Sequence, residues 1–112
     1  MATPPVQLVF TSCPDAACAE QIAQRLVAAR LAACVNVLAP CRSIYEWQGK
    51  ACAENEVPLI IKTTAACYPE VEAMIRQLHP YELPEIVAVD IAQGLPAYLA
   101  WVAGQLSSPP VC

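Results

Sequence analysis

The segment that decides the fold is SIYEWQGK (residues 43–50), followed by the long return ACAENEVPLIIKT (residues 51–63). The first part alternates between two faces, as a strand does, and its glycine accepts the positive φ of a two-residue turn at Gln48–Gly49. The pattern therefore predicts a hairpin of two long strands. Tyr45 and Trp47 near its tip would be exposed in a monomer, which favours self-association.

The residues before the hairpin predict one strand followed by one helix. Val6–Thr11 is apolar and rich in β-forming residues, as a buried strand is. Asp15 is placed to cap a helix whose apolar residues recur at helical spacing. These residues are Cys18, Ala19, Ile22, Ala23 and Leu26. A second strand begins at Ala33 and runs into the hairpin, with an edge, bend or bulge at Pro40, which has no N–H to donate.

The residues after the hairpin predict a helix, a strand and a last helix. Pro69 suits the first turn of the helix, and Pro80 ends it because the residue before a proline is pushed out of the α region. The apolar stripe of this helix is Val71, Met74, Ile75 and Leu78. Glu85–Ile91 alternates as a strand, and Pro96 opens a helix whose apolar side holds Leu95, Tyr98, Leu99, Val102 and Leu106. The order βαββαβα predicts a ferredoxin-like α+β fold, a four-stranded sheet backed by two helices, with an extra C-terminal helix.

Length and composition limit the classes of protein. A chain of 112 residues is expected to form a single domain over residues 1–112, with an ordered core at about 6–106 and frayed tails. Hydrophobic residues make up 57% and charged residues 14%, which excludes a disordered chain and predicts a sizeable apolar interface. The net charge of −4 argues against nucleic acid or an anionic membrane as the partner.

The seven cysteines predict a reduced protein. Their number is odd, no Cys-x-x-Cys occurs, and the first residues lack the regions of a signal peptide. We therefore expect cytoplasmic thiols, most of them small buried hydrophobes. Cys13 is the exception, because it follows the first strand beside a helix N-terminus. There we expect an exposed thiol with a lowered pKa.

The densest group of functional side chains is HPYELPE (residues 79–85). His79 is the only histidine of the chain, and it is either a helix-ending residue bonded to backbone or a metal or ligand contact. A metal would need further ligands from Glu82, Glu85 or a cysteine brought near by folding.

Lys62 lies in an apolar strand and needs either an ion-pair partner or an anionic ligand. The candidate partners are Glu54, Glu56 and Glu85. The sequence has no base–nucleophile spacing, no G-x-S-x-G and no glycine-rich phosphate loop. It therefore predicts a protein that is not an enzyme and that carries no organic cofactor.

Several separated motifs resemble one known family. They are LAACVNV (31–37), SIYEWQGK (43–50), IKT (61–63), LHPYELPEI (78–86) and YLAW (98–101), and together they resemble the CutA divalent-cation tolerance proteins. The resemblance implies a ferredoxin-like subunit and a homotrimer similar in architecture to the PII signalling proteins. It also implies a cytoplasmic location and a link to tolerance of copper and other divalent cations.

The resemblance also implies a copper site, formed in the family by a cysteine late in the first strand and by histidines around the His-Pro-Tyr motif. His79 matches one ligand, whereas Thr11 and Leu78 stand at two others. Cys13 lies two residues beyond the strand position. The metal ligands expected for this chain are therefore His79, Cys13 and Glu85.

Three functions follow as hypotheses. The first is a homotrimer that binds copper or another divalent metal ion, which needs His79. The second is a PII-like sensor of a small organic ligand, held in an inter-subunit cleft by Lys62, Trp47, Tyr81 and Glu82. The third is a structural scaffold trimer, which needs none of these residues.

Overall fold

The computed structural model describes residues 5–109 and 111–112. The elements in chain order are β1 (Val6–Cys13), α1 (Ala16–Ala28), β2 (Cys34–Val37), β3 (Cys41–Trp47), β4 (Lys50–Thr64), α2 (Tyr68–Leu78), β5 (Val87–Asp90) and α3 (Pro96–Gly104). The predicted order is confirmed, with the second predicted strand divided into β2 and β3. None of the described helices has the length and apolar character needed to cross a membrane.

The strands form an antiparallel sheet in the order β2-β4-β1-β5, and β3 pairs with the outer half of β4. This is the ferredoxin-like arrangement that the sequence predicts. Val37 pairs with Leu59, and the next pair is Cys41 with Glu56. Between these two pairs, the three residues 38–40 lie opposite the two residues 57–58 of β4. The extra residue falls next to Pro40 and interrupts the strand there, as predicted.

One face of the sheet forms the core with α1 and α2. Alternate residues of β1 and β4 point to the same side, so Val9, Leu59 and Ile61 face the helices. They pack against Ile22 and Leu26 of α1 and against Val71 and Ile75 of α2. These four helix residues are fully buried, which confirms the predicted apolar stripe of each helix at these positions.

Both helices begin and end where local chemistry dictates. The Asp15 carboxylate accepts a 2.8 Å hydrogen bond from the amide of Cys18, which makes it the predicted N-cap of α1. Pro69 lies in the first turn of α2, and His79 follows its last turn with an extended ψ of 134°. That extended backbone is expected for a residue that precedes a proline.

The hairpin extends well beyond the helices. We call residues 41–56, which comprise β3, the turn and the outer half of β4, the arm. Gln48 and Gly49 have φ values of 51° and 79°, which confirms the predicted two-residue turn. Ile44 is 79% exposed, and Tyr45 and Trp47 are also exposed, as predicted. The arm helps to give the protein its long axis of 50 Å, against 26 and 23 Å in the other directions.

The second face of the sheet is covered only in part, by α3. Val102 and Leu106 are buried as expected, but Leu95 and Tyr98 of the same predicted stripe are exposed. Val87 and Val89 of β5 remain 51% and 48% exposed on this face. Among the described residues, a substantial apolar surface is therefore uncovered.

The cysteine prediction needs one correction. Cys67, which is buried just before α2, forms a disulfide with Cys112. The C-terminal tail is also held by Ser107, whose amide donates a 2.8 Å hydrogen bond to the carbonyl of Arg30. The disulfide contradicts the prediction that all thiols are reduced, and Ser107 and Cys112 of the tail that was expected to fray both contact the body of the protein. The predicted N-terminal tail falls mainly on residues 1–4, which lie outside the described residues.

Candidate functional site

His79 is buried, and both of its ring nitrogens are engaged. Nε2 lies 2.7 Å from the carbonyl oxygen of Ser12, which can only accept, so the ring proton is on Nε2. Nδ1 then accepts a 3.1 Å hydrogen bond from the amide of Tyr81. The ring thus joins the end of β1 to the loop after α2. Of the alternatives left open by the sequence, the structure supports the helix-ending histidine bonded to backbone, because a metal would have to displace one of these bonds.

Cys13 is buried and does not face the solvent. β1 extends two residues beyond its predicted end, and the alternation of Val9, Thr11 and Cys13 puts the thiol in the core. Burial, reinforced by the neighbouring Cys18, raises the pKa of Cys13 to about 12. The prediction of an exposed thiol with a lowered pKa is therefore wrong. A neutral buried thiol is a poor metal ligand, because metals bind the thiolate.

Thr11, at the position where the resemblance implies a cysteine ligand, is also buried. Its hydroxyl oxygen has no hydrogen-bond partner among the described residues. No group of three or more His, Cys, Asp or Glu side chains in the described part of the chain is arranged to hold a metal ion. The expected set His79, Cys13 and Glu85 is thus not assembled within one protomer.

A cavity of about 540 Å³ lies between the arm and the loop that follows His79. Three aromatic side chains line it, namely Tyr45, Trp47 and Tyr81. Three carboxylates line it as well, namely Glu56, Glu82 and Glu85. Ser12, Leu83 and Pro84 complete the wall. None of these lining residues is basic; Lys50, which pairs with Trp47 at the tip of the arm, is not among them.

One hydrogen bond connects the two sides of the cavity. The hydroxyl of Tyr81, on the loop, donates to a carboxylate oxygen of Glu56, on the arm, at 3.1 Å. Burial together with this bond raises the pKa of Tyr81 to about 12. The ring of Tyr81 also lies against His79, with 4.7 Å between centroids. His79 and Glu56 therefore fix the position of Tyr81 in the wall.

Lys62 does not line this cavity. It lies six residues from Glu56 on β4, which corresponds to about 20 Å along a strand. Its ammonium group is 3.9 Å from the sulfur of Cys34 and 6.0 Å from the ring centre of Tyr98. The contacts are therefore a thiol and an aromatic ring in place of the carboxylate that the sequence suggested. Trp47, Tyr81 and Glu82 are brought together, and Lys62 is separate from them.

Tyr45 and Glu56 also belong to this site, although neither is among the residues predicted for it. Tyr45 pairs with Cys52 and Cys41 pairs with Glu56, so Tyr45 and Glu56 share one face of the arm. The signal was present in the alternation of Tyr45 with Trp47, which puts both rings on the same side. Glu56 could be assigned only once the register of the hairpin was known.

The family model described as CutA1 divalent ion tolerance protein matches residues 7–105. The chain belongs to the CutA family. A CutA divalent-cation tolerance protein from Thermus thermophilus is 43% identical over 96 residues, which are 86% of this chain and 93% of the relative. Mouse protein CutA is 43% identical over 87% of this chain. The chain spans about half of the mouse protein, since the match covers 55% of that relative's length.

Solved CutA structures share the fold. CutA1 from Shewanella sp. SIB1 aligns with a TM-score of 0.91 at 42% identity, over 96% of this chain and all of that one. A CutA from Archaeoglobus fulgidus, described as a periplasmic divalent cation tolerance protein, aligns with a TM-score of 0.88 at 34% identity, over 91% of this chain and 99% of that one. The ferredoxin-like CutA architecture of the chain is thus supported by both sequence and structure.

Proposed function

We propose that this CutA chain acts in divalent-cation tolerance as a homotrimer that binds a divalent metal ion, copper included, and that it is not an enzyme. The main support for a binding site is the cavity between the arm and residues 81–85. Its three carboxylates and the lack of any basic lining residue attract cations. Family membership supports the link to divalent cations.

The ligand set that we propose is acidic and does not include the predicted thiol or imidazole. Carboxylate oxygens suit magnesium, calcium and manganese(II) best, and a magnesium ion that keeps its waters needs only one or two of them. Copper(II) also accepts oxygen ligands, but it binds a purely acidic set less tightly than a set that contains imidazole. Glu82 and Glu85 are both exposed on the loop, so both can reach an ion in the cavity. His79 would serve this site indirectly, because its two backbone bonds hold the loop in place.

The trimer is supported by the uncovered apolar surface. Val87 and Val89 on the sheet, and Leu95 and Trp101 on α3, are exposed in the single protomer. A monomer of this size rarely leaves so much apolar surface uncovered. Sedimentation equilibrium checks this directly, with an expected mass of three times 12.0 kDa. A mass of 12.0 kDa at micromolar concentration would reject the trimer.

Titration calorimetry with copper(II), on disulfide-intact protein without a tag, tests the metal proposal. We expect one saturable class of sites, weakened about 10-fold or more in Glu82→Gln and Glu85→Gln, because each substitution removes a charged ligand. Glu20→Gln is the matched control, since Glu20 is exposed on α1 away from the cavity. Binding that is unchanged by both cavity variants, or abolished when free thiols are alkylated, would overturn the carboxylate site.

The cytoplasmic location stays a prediction. The Cys67–Cys112 disulfide favours an oxidising compartment, because the cytoplasm keeps thiols reduced. Trapping the thiols with acid and alkylating them directly in cells distinguishes the two. A protein with all seven cysteines labelled would support the cytoplasm, and one with two protected cysteines would support an oxidising compartment.

A further inference from the structure

The aromatic half of the cavity has no role in the metal proposal. Tyr45 and Trp47 come from one strand of the arm, and Tyr81 faces them from the loop. A hydrated metal ion needs oxygen ligands and gains little from three rings. A ring face, however, attracts a cation that carries alkyl groups, because its quadrupole is negative and its surface is apolar.

We propose that the cavity binds an organic cation of the alkylated ammonium class, with the charge held by Glu82 and Glu85 and the alkyl groups packed against Tyr45 and Trp47. The proposal uses the same cavity as the metal site and does not require metal binding.

Size and charge both fit this class of ligand. A cavity of about 540 Å³ falls in the range of small-molecule sites, roughly 300–1,000 Å³, and exceeds what a single metal ion needs. The lining carries three carboxylates and none of its described members is basic, so an organic anion is disfavoured. The sequence suggested an anionic ligand because of Lys62. Lys62 lies about 20 Å along β4 from Glu56, outside the cavity, so the expected charge of the ligand changes from negative to positive.

One carboxylate has a different role from the other two. Glu56 already accepts a hydrogen bond from the hydroxyl of Tyr81, so this carboxylate is engaged and holds the Tyr81 ring in the wall. The two loop carboxylates are exposed and remain available for the charge. Any ammonium bound between them and the arm would lie against rings on one side and carboxylates on the other, the arrangement by which quaternary ammonium ligands are recognised.

Calorimetric titration with choline tests this proposal, beside 3,3-dimethylbutan-1-ol, which has the same shape without the charge. We expect saturable binding of choline and at least about 10-fold weaker binding of the neutral analogue. Trp47→Leu should weaken choline about 10-fold and leave copper(II) affinity unchanged, whereas Glu82→Gln should weaken both.

The outcomes separate this proposal from the metal proposal. Equal binding of choline and its neutral analogue, or no saturable choline binding by the folded trimer, would overturn the organic-cation site whatever copper does. Choline binding without any copper binding would overturn the metal site alone. Val27→Ala is the matched control, because Val27 is an exposed apolar residue on α1, outside both the cavity and the apolar surface assigned to the trimer, and it should leave choline affinity unchanged.

Discussion

The two halves of β4 show what holds this protein together. In the body, from Val57 to Thr64, every second residue is buried under α1 and α2. In the arm, from Lys50 to Glu56, the same strand is largely exposed, and β3 is its only described partner. The strand is continuous, so burial here is decided by the helix layer and not by the hydrogen-bonded ladder.

The largest difference between body and arm should come from apolar truncation. Leu26→Ala, in the fully buried body, should lower the free energy of unfolding by about 2–5 kcal/mol, because it leaves a cavity. Ile44→Ala, in the arm, should change it by less than about 0.5 kcal/mol. Urea unfolding at one fixed protein concentration measures both. An equal loss for the two variants would show that the arm is covered in the assembly.

The cysteines offer a second contrast. Cys67→Ser removes the disulfide that closes a loop of 45 residues in the body and should cost about 2–4 kcal/mol. Cys41→Ser replaces an exposed free thiol at the base of the arm and should cost almost nothing. Thermal unfolding without reductant compares them. If both variants matched the wild type, the disulfide would contribute nothing to stability.

The two glycines at element ends should respond with opposite signs. Gly49→Ala, in the turn of the arm at φ 79°, should destabilise by about 1 kcal/mol, since an L side chain disfavours this region. Gly104 is the last residue of α3, and a Cβ added there would meet no other atom within 4 Å. Gly104→Ala should therefore stabilise the protein by about 0.5 kcal/mol, because alanine loses less conformational freedom on folding. Chemical denaturation at equal concentration measures each change. A destabilising Gly104→Ala would place that surface against a neighbouring protomer.

The smallest effect should be on the hydrogen bond between Tyr81 of the loop and Glu56 of the arm, whose contribution to stability should be lost at alkaline pH. The folded protein raises the pKa of Tyr81 above its ordinary 10 to about 12, so the contact stabilises fully below pH 10. The contribution falls as the pH rises from 10 towards 12, because ionisation is then favoured in the unfolded chain. Absorbance at the tyrosinate band should show a late-titrating tyrosine that is missing in Tyr81→Phe. An unchanged titration in that variant would contradict the assignment.

Most of the fold follows from local signals in the sequence. Asp15 caps α1, Pro80 ends α2 and Gln48–Gly49 forms the turn, each through chemistry confined to a few residues. The same is true of the interruption at Pro40. These features depend on backbone preferences that act regardless of tertiary structure, so the sequence predicts them correctly.

The candidate site was only partly predictable, because it depends on register and on distant contacts. Two extra residues in β1 turned Cys13 from a predicted exposed thiol into a core residue. The partner of Cys67 lies 45 residues away, which no local pattern reveals. The loop residues Tyr81 and Glu82 were found from their motif, but only the hairpin register brought Glu56 to them.

The disulfide has a mechanical consequence. If the oxidised protein is pulled by its two ends, the segment between Cys67 and Cys112 is bypassed and bears no tension. Those 45 residues would otherwise lengthen the extended chain by roughly 150 Å, at about 3.3–3.6 Å per residue. A single reduction event would therefore release that length in one step, while α2, β5 and α3 remain shielded from the force until then.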